Sequence, residues 1–113
     1  MDKYKRVYLR DNYRCVYCGR FLLADFDSWA SLHTDHLVPE AAGGDDSEEN
    51  MVTSCPTCNN RKGDFRPGME LTTASRKELI QTIRQHIAGR RAEWMQEFLD
   101  TVSSWQQSPN SKR

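Results

Sequence analysis

The chain has 113 residues, with 16 Lys and Arg against 16 Asp and Glu, so its formal net charge is zero. This length corresponds to one domain with a small core, in which an additional stabilising cross-link, or staple, is unsurprising. The sequence has no apolar run of membrane-spanning length, and its first residues, M-D-K-Y-K-R, lack the apolar stretch of a signal peptide. We therefore expect no membrane association and a cytoplasmic protein, whose four Cys stay reduced and suit metal binding better than disulfides.

The balanced charge is unevenly distributed along the chain. Residues 1–20 carry six bases and two acids, residues 21–60 carry eight acids and no Lys or Arg, and residues 61–113 carry ten bases and six acids. Basic flanks of this kind could contact phosphates while the acidic middle holds a cation. Charge alone favours the simpler interpretation that these are solvated faces.

The chain is predicted to begin with a short helix. Within residues 3–13, Tyr4, Val7 and Tyr8 recur at helical spacing, which indicates an amphipathic helix that ends near Asn12. Its opposite side carries bases that could contact phosphates, although exposed bases on a helix usually have no such role.

Residues 20–30 have no clear period, and we expect five of their side chains to pack the core beside the cysteines: Phe21, Leu22, Leu23, Phe26 and Trp29.

Two Cys-x-x-Cys pairs frame the middle of the chain. Cys15 and Cys18 are followed by a Gly, and the second pair, Cys55 and Cys58, begins after 36 intervening residues. Such pairs are typical of a tetrahedral zinc site with four cysteine ligands, although the gap is longer than in compact zinc ribbons. We predict one structural Zn²⁺ that ties the ends of the intervening segment together. The alternatives are a redox dithiol, for which a thioredoxin-like βαβ context is missing, and two unrelated Cys pairs.

The segment between the Cys pairs is predicted to form two short strands. Residues 31–38 alternate in part between apolar and polar side chains and end at Pro39, which indicates a strand. Gly43 and Gly44, followed by the acidic run at 45–49, predict a loop that is more simply solvated than bound to a second cation. The next residues, Met51-Val52-Thr53, are typical of a short returning strand.

A short helix is predicted to follow the second strand. Cys55-Pro56 resembles a helix start, because Pro suits the first helical position, where no N–H is needed. In such a helix Asn59 and Lys62 lie one turn apart on the same side. Residues 64–73, which contain Pro and Gly, are expected to form a connecting loop.

Two amphipathic helices that form a hairpin are predicted for the C-terminal third. Ser75 or Thr73 can cap the first helix, Gly89 is a suitable stop, and the second helix starts near Arg90. Apolar stripes at this spacing more often form a core or a helix–helix interface than a ligand site. The two stripes consist of Leu79, Ile80, Ile83 and Ile87, and of Trp94, Met95, Phe98, Leu99, Val102 and Trp105.

Four residues of the middle segment carry a family resemblance. An Asp-His pair, Asp35 and His36, is followed by Asn50 fourteen residues later and by Asn59 nine residues beyond that. The stretch is similar to the HNH endonuclease family, whose active site is a ββα hairpin-and-helix that binds one divalent metal. The third family position, often His, is Asn59, so the chain resembles an H-N-N variant.

Lys62, three residues after Asn59, extends the likeness to the HNH domain of the large RNA-guided CRISPR nucleases. The resemblance covers residues 10–64, about half of the chain. It implies an α+β fold in which a small ββα-metal core is stapled by the four-cysteine zinc site. An N-terminal helix and the C-terminal helical hairpin would be added to this core.

The Asp-His pair supplies the predicted chemistry. His36 is the candidate general base, since a neutral imidazole can accept the proton of a water near pH 7. Asp35 precedes it directly, and neighbouring strand residues point to opposite sides. The resemblance implies that a twist or bulge brings Asp35 to the metal while His36 faces the water. It also implies that Asn59 is the second metal ligand and that Asn50 holds the loop and orients His36.

Carboxylate and amide oxygens form a hard, sparsely ligated site, which favours Mg²⁺ or Mn²⁺ completed by waters and phosphate oxygens. Arg61, Lys62 and Arg66 are expected to contact the phosphates, and Lys62 also belongs to the predicted catalytic set.

His33 is expected to be a packing or surface residue, with metal binding as the alternative. His86 is expected to be non-catalytic.

The sequence therefore predicts a metal-dependent HNH endonuclease that hydrolyses phosphodiester bonds in double-stranded DNA with weak sequence preference. The alternatives are a non-catalytic, zinc-stapled nucleic-acid-binding module and a nuclease subunit of a restriction, phage or mobile-element system. We expect a nuclease core at 1–66, a helical extension at 67–105 and a disordered tail at 106–113. The C-terminal helices could also join two copies into a homodimer.

Overall fold

The computed structural model describes residues 1–72 and 75–112. It combines helices with one two-stranded antiparallel sheet, which confirms the predicted α+β class. None of its helices, within that part of the chain, is long and apolar enough to cross a membrane. The main elements are α1 (Lys3–Arg10), α2 (Phe26–Ala30), β1 (His33–His36), β2 (Met51–Ser54), α3 (Pro56–Lys62) and α4 (Arg76–Gln106).

The two strands and α3 form a compact ββα unit. β1 pairs antiparallel with β2 in a continuous register, from His33 opposite Ser54 to His36 opposite Met51. α3 begins directly after β2, with Cys55 as its N-cap and Pro at its first turn, as the sequence predicted. Because α3 packs on β1, this connection brings helix side chains against the first strand.

The bases of α1 contact the loop that joins β1 to β2. The Lys3 ammonium donates to the backbone oxygen of Asp46 at 3.0 Å, and Arg6 forms an ion pair of 2.5 Å with Glu48. Arg10, where α1 ends, donates to the backbone oxygen of Glu48 at 2.8 Å. These side chains are therefore bound to the protein's own acidic loop, which favours a structural role for this face of α1.

The predicted packing of residues 20–30 is largely wrong. Leu22 is buried, but Phe26 is 73% exposed and Trp29 is 51% exposed. The reason is that α2 is a single short turn on the surface, capped by the Asp25 side chain on the N–H of Ser28 at 2.7 Å. The core instead draws on the sheet, α1 and α4, through Val7, Leu37, Met51, Val52, Leu79, Ile83 and Ile87.

The predicted C-terminal hairpin is also wrong, because α4 runs without a break through Gly89. A glycine ends a helix when its backbone turns left-handed, whereas Gly89 is absent from the residues with positive φ in the described chain. Its neighbours are Ala and Arg, which favour helix and offset the cost of about 1 kcal/mol for an internal Gly.

The two halves of α4 have different surroundings. Ser75, one of the two predicted caps, occupies the N-cap position of α4, but its hydroxyl makes no capping hydrogen bond and donates instead to the Glu70 carbonyl at 2.7 Å; Thr73 lies outside the described residues. Leu79, Ile83 and Ile87 in its first half are buried against the core. Residues 88–101 are all exposed, so this stretch contributes no buried side chain to the core. Beyond it, residues of the predicted disordered tail form a short 3-10 helix at Pro109–Lys112.

Candidate active site and metal centre

The four cysteines converge on one point. The Sγ atoms of Cys15, Cys18, Cys55 and Cys58 all lie within 4.8 Å of one another. Those of Cys18 and Cys55 are 3.8 Å apart, which matches the spacing of about 3.8 Å between sulfurs held about 2.3 Å from one tetrahedral Zn²⁺. The cluster thus has the ligand number, chemistry and spacing for a tetrahedral metal ion, as the sequence predicted.

The local backbone supports these sulfurs. Cys55 Sγ accepts the N–H of Cys58 at 3.4 Å, and the N–H of Gly19 donates to the carbonyl of Cys15 at 2.8 Å. Gly19 has a φ of 81°, a left-handed conformation that glycine adopts without strain. Hydrogen bonds from the Cys55 and Cys58 thiols lower the pKa of Cys15, whereas burial raises the pKa of Cys18 and the hydrogen bond with Cys15 raises the pKa of Cys58.

Asp35 lies in a polar cluster between β1 and α3. The Tyr17 hydroxyl donates to Asp35 Oδ2 at 2.5 Å, and the Lys62 ammonium lies 3.2 Å from the same oxygen. Lys62 also donates to the backbone oxygen of His36 at 2.7 Å, and its side chain is only 2% exposed. Burial, followed by the charge of Asp35, raises the pKa of Tyr17, so its hydroxyl stays a donor.

The His36 side chain points to a different neighbour. Its Nε2 lies 2.8 Å from Asp46 Oδ1, on the loop between the strands, and the imidazole is partly accessible. Of the twist or bulge that the resemblance implies, a bulge is not present, since β1 pairs in unbroken register with β2 over the two residues. Asp35 therefore faces Lys62 of α3, as alternation along a strand requires, while His36 faces the loop.

Asn50 ties the two ends of this loop together. Its Oδ1 accepts the N–H of Val38 at 2.9 Å, and its Nδ2 donates to the carbonyls of Val38 at 3.0 Å and Asp45 at 2.7 Å. The side chain is fully buried. Gly44 makes this closure feasible, because a Cβ there would lie 1.8 Å from the Val38 carbonyl oxygen. Asn50 thus contacts the loop itself, while Asp46 contacts the imidazole.

The predicted site residues on α3 and just after it lie in three environments. Asn59 is partly buried one turn before Lys62, and residues three apart share a helix face, so it lies on the side of α3 that carries Lys62 toward β1. Arg61 lies over the Trp94 ring of α4, and Arg66 is exposed. Lys62, expected to contact phosphates, is instead buried against Asp35. The difference arises because α3 packs directly on β1.

The other two histidines lie outside this cluster. His33 is exposed at the start of β1. His86 is stacked on Phe65, with ring centroids 3.8 Å apart, and so joins α4 to the segment after α3.

Sequence reasoning missed two residues of the site, Tyr17 and Asp46. Tyr17 lies inside the first Cys-x-x-Cys, where the metal motif is the dominant signal and gives no indication that the tyrosine reaches Asp35. Asp46 is one of several acids in a loop that pattern alone assigns to solvent. Each contact depends on the path of the chain between elements, which neither spacing nor composition specifies.

Comparison with known proteins gives one family and two relatives. Residues 15–65 match the HNH endonuclease family. The chain is 28% identical over 101 residues to the CRISPR-associated endonuclease Cas9 of Corynebacterium diphtheriae, which covers 82% of this chain but only 9% of that protein. It is also 33% identical over 64 residues to a protein of Nostoc sp. named Anaredoxin, covering 55% of this chain and 75% of that protein. No solved structure shows a significant match.

Proposed function

The chain belongs to the HNH endonuclease family, and from this premise we propose that it is a metal-dependent endonuclease that hydrolyses phosphodiester bonds in DNA. The observation that carries the proposal is the arrangement of two adjacent residues on β1. Asp35 supplies a carboxylate beside α3, and His36 supplies a solvent-accessible imidazole. Hydrolysis needs both an activated water and a site of negative charge for a cation, and each of these side chains supplies one of the two, from opposite sides of β1.

His36 is the general base in this proposal. A neutral imidazole accepts a proton near pH 7, and the partial exposure of this ring leaves room for water and a phosphate beside it. Asn50 acts structurally by closing the loop, and Lys62 fixes the position of Asp35 through its ion pair. His36 is thus the member of the predicted set that moves a proton, while Asn50 and Lys62 support the geometry.

Asp35 and Asn59 are the residues that would hold a divalent cation. A carboxylate has about four acceptor positions, and Tyr17 and Lys62 leave part of this capacity on Asp35. Asn59 adds an amide oxygen from α3, and this oxygen-only set suits Mg²⁺ or Mn²⁺. When bound, the cation would neutralise charge on the scissile phosphate and the leaving oxygen.

We further propose that the four-cysteine cluster holds a structural Zn²⁺. All four ligands are sulfurs, so the site has no open position for substrate, which is the pattern of structural rather than catalytic zinc. Tyr17 lies between Cys15 and Cys18, so the ion would also fix the backbone that presents the Tyr17 hydroxyl to Asp35. Zinc would then support the active site as well as the fold.

Double-stranded DNA is the proposed partner. Arg66 is exposed just beyond α3, and Arg61 presents its guanidinium beside Trp94, so both are candidates for phosphate contacts. We also propose that the chain divides into a nuclease core at residues 1–66 and an extension at residues 67–105, which includes most of α4.

A second candidate function is a non-catalytic, zinc-stapled nucleic-acid-binding module. The observation that favours it is the ion pair between Lys62 and Asp35, because the ammonium already balances the carboxylate that would bind the cation. In this case DNA would bind without being cut in Mg²⁺ or Mn²⁺.

We also propose that the second half of α4 joins two copies of the chain. Its large apolar side chains are 37–58% exposed: Trp94, Met95, Phe98, Leu99 and Trp105. An exposed apolar stripe of this kind is typical of an interaction surface, and a second copy of the chain would cover it with an identical stripe.

The test of the proposed function is cleavage of supercoiled plasmid in Mg²⁺, in Mn²⁺ and in EDTA. We expect metal-dependent nicking or linearisation, and a rate lower by about 10²–10⁴-fold in His36→Ala. His33→Ala is the matched control, since His33 is an exposed histidine on the same strand, and it should cut like the parent. If folded, zinc-loaded protein binds the plasmid without cutting it, the binding module becomes the better candidate.

A further inference from the structure

We propose that Asp46 is a positioning residue for His36, holding one ring nitrogen so that the other is free to accept a proton. The inference rests on the proposed function, in which His36 is the general base. It assigns a role to one acid of the loop that the sequence alone assigns to solvent. Its chemistry is that of a carboxylate–imidazole pair, in which the acid orients the base and does not itself react.

The geometry identifies which nitrogen is held. His36 Nε2 lies 2.8 Å from Asp46 Oδ1, a hydrogen-bond distance. An ionised carboxylate only accepts hydrogen bonds, so Nε2 must carry the proton in this contact. In the neutral imidazole the lone pair then lies on Nδ1, which is the state a general base requires. Asp46 thus selects the tautomer as well as the ring orientation.

The loop that carries Asp46 is fixed from both sides. The Lys3 ammonium of α1 donates to the Asp46 carbonyl at 3.0 Å, and Asn50 donates to the carbonyl of the preceding Asp45 at 2.7 Å. The Asp45 side chain accepts hydrogen bonds from the hydroxyl and the N–H of Ser47, at 2.6 and 3.1 Å. The adjacent acids therefore have different tasks, since Asp45 shapes the loop and Asp46 faces the imidazole.

These contacts explain how an exposed carboxylate can orient a catalytic ring. Asp46 has a largely exposed side chain, so a freely moving acid there would gain little from an ion pair. Its backbone, however, is immobilised on both sides, which lowers the entropic cost of holding the side chain on Nε2. We therefore expect the pair to matter for the rate rather than for stability.

The kinetic test compares Asp46→Ala, Asp46→Asn and Glu49→Ala in the full chain. We expect Asp46→Ala to lower kcat by about 10-fold to 100-fold with KM unchanged. Asp46→Asn keeps an oxygen acceptor for Nε2–H and should recover part of that loss. Glu49→Ala removes the same charge from the same loop at an exposed residue and should cut like the parent. Parental kcat in Asp46→Ala would overturn the proposal.

A second readout does not depend on cleavage. The ¹⁵N chemical shifts of His36 in the folded, zinc-loaded protein report which ring nitrogen carries the proton. We expect the Nε2–H form in the parent and a tautomer mixture in Asp46→Ala, with Glu49→Ala unchanged. A His36 ring that is identical in the parent and in Asp46→Ala would overturn the contact. If the parent does not cut DNA, the proposed function fails, while the shifts still decide whether Asp46 holds His36.

Discussion

The Lys62 ammonium of α3 lies 3.2 Å from the carboxylate of Asp35 on β1, and donates as well to the next carbonyl of the strand, that of His36, at 2.7 Å. One buried side chain thus joins the helix to the strand and fixes the acid that is our candidate metal ligand. The contact that completes the ββα unit is also a contact of the site. Changes here should therefore affect stability and activity together.

Replacing Lys62 by Met should destabilise the fold. The substitution keeps the length and apolar stem of the side chain but leaves the Asp35 carboxylate with Tyr17 as its one side-chain donor among the described residues. Breaking a buried ion pair costs about 3–5 kcal/mol, and we expect about 2–3 kcal/mol here because Asp35 retains some exposure and one hydrogen bond. Urea denaturation followed by circular dichroism measures the difference.

The matched control for that change is Lys77→Met, at an exposed position in the first turn of α4. It should shift the free energy of unfolding by no more than about 0.5 kcal/mol. Equal stability of the two variants would mean that the ion pair does not hold α3 on β1. The double variant Lys62→Met with Asp35→Asn should recover part of the loss, since no unpaired carboxylate remains.

Removal of zinc should unfold the nuclease core. The cluster joins residues before α2 to the start of α3, and structural zinc contributes folding free energy directly in small domains. We expect a strong chelator, or Cys58→Ser, to abolish the cooperative thermal transition seen by circular dichroism. Re-addition of Zn²⁺ to the chelated parent should restore it, and elemental analysis should find one zinc per chain. A chelated protein with the parental transition would contradict this.

Replacing each of two glycines by alanine should change the stability of the protein in opposite directions. At Gly44 a Cβ would lie 1.8 Å from the Val38 carbonyl oxygen, so the loop must shift, and we expect a loss of at least about 2 kcal/mol. At Gly89, within α4, the space around a Cβ is open, and Ala should stabilise the protein by about 0.5–1 kcal/mol. Thermal unfolding of the two single variants is the measurement. A tolerant Gly44→Ala would show that the loop is not closed as described.

The sequence predicted local features more reliably than long-range ones. Pro56 after Cys55 predicted the start of α3, because this signal depends only on neighbouring residues. The paired Cys-x-x-Cys motifs predicted the cluster, because few kinds of site use four cysteines at this spacing. The exposure of Phe26 and Trp29 was not predicted. Whether an apolar side chain is buried depends on what packs over it, and a stretch without a clear period gives no indication of that.

The continuous α4 shows a further limit of pattern reading. Gly89 separates two apolar stripes and was therefore interpreted as a stop, although a stop needs a left-handed backbone that Gly permits but does not impose. For the site, Asp35 and His36 were identified through the resemblance to the HNH family, whereas their contacts with Lys62 and Asp46 depend on tertiary packing. The sequence therefore predicted which residues could carry out the reaction, but not the hydrogen bonds and ion pairs that position them.

The exposed stripe of α4 leads to a last prediction, on assembly. If two copies pair through it, sedimentation equilibrium of the 13.1 kDa chain should give a mass that rises toward twice that value with concentration. Phe98→Glu places a charge in the stripe and should keep the protein monomeric. Phe26→Glu makes the same change at a more exposed phenylalanine on α2 and should leave association intact.

Two outcomes would exclude this pairing. One is a parent that stays monomeric at all concentrations. The other is a Phe98→Glu variant that associates like the parent, because a charge buried in the paired stripe should prevent association.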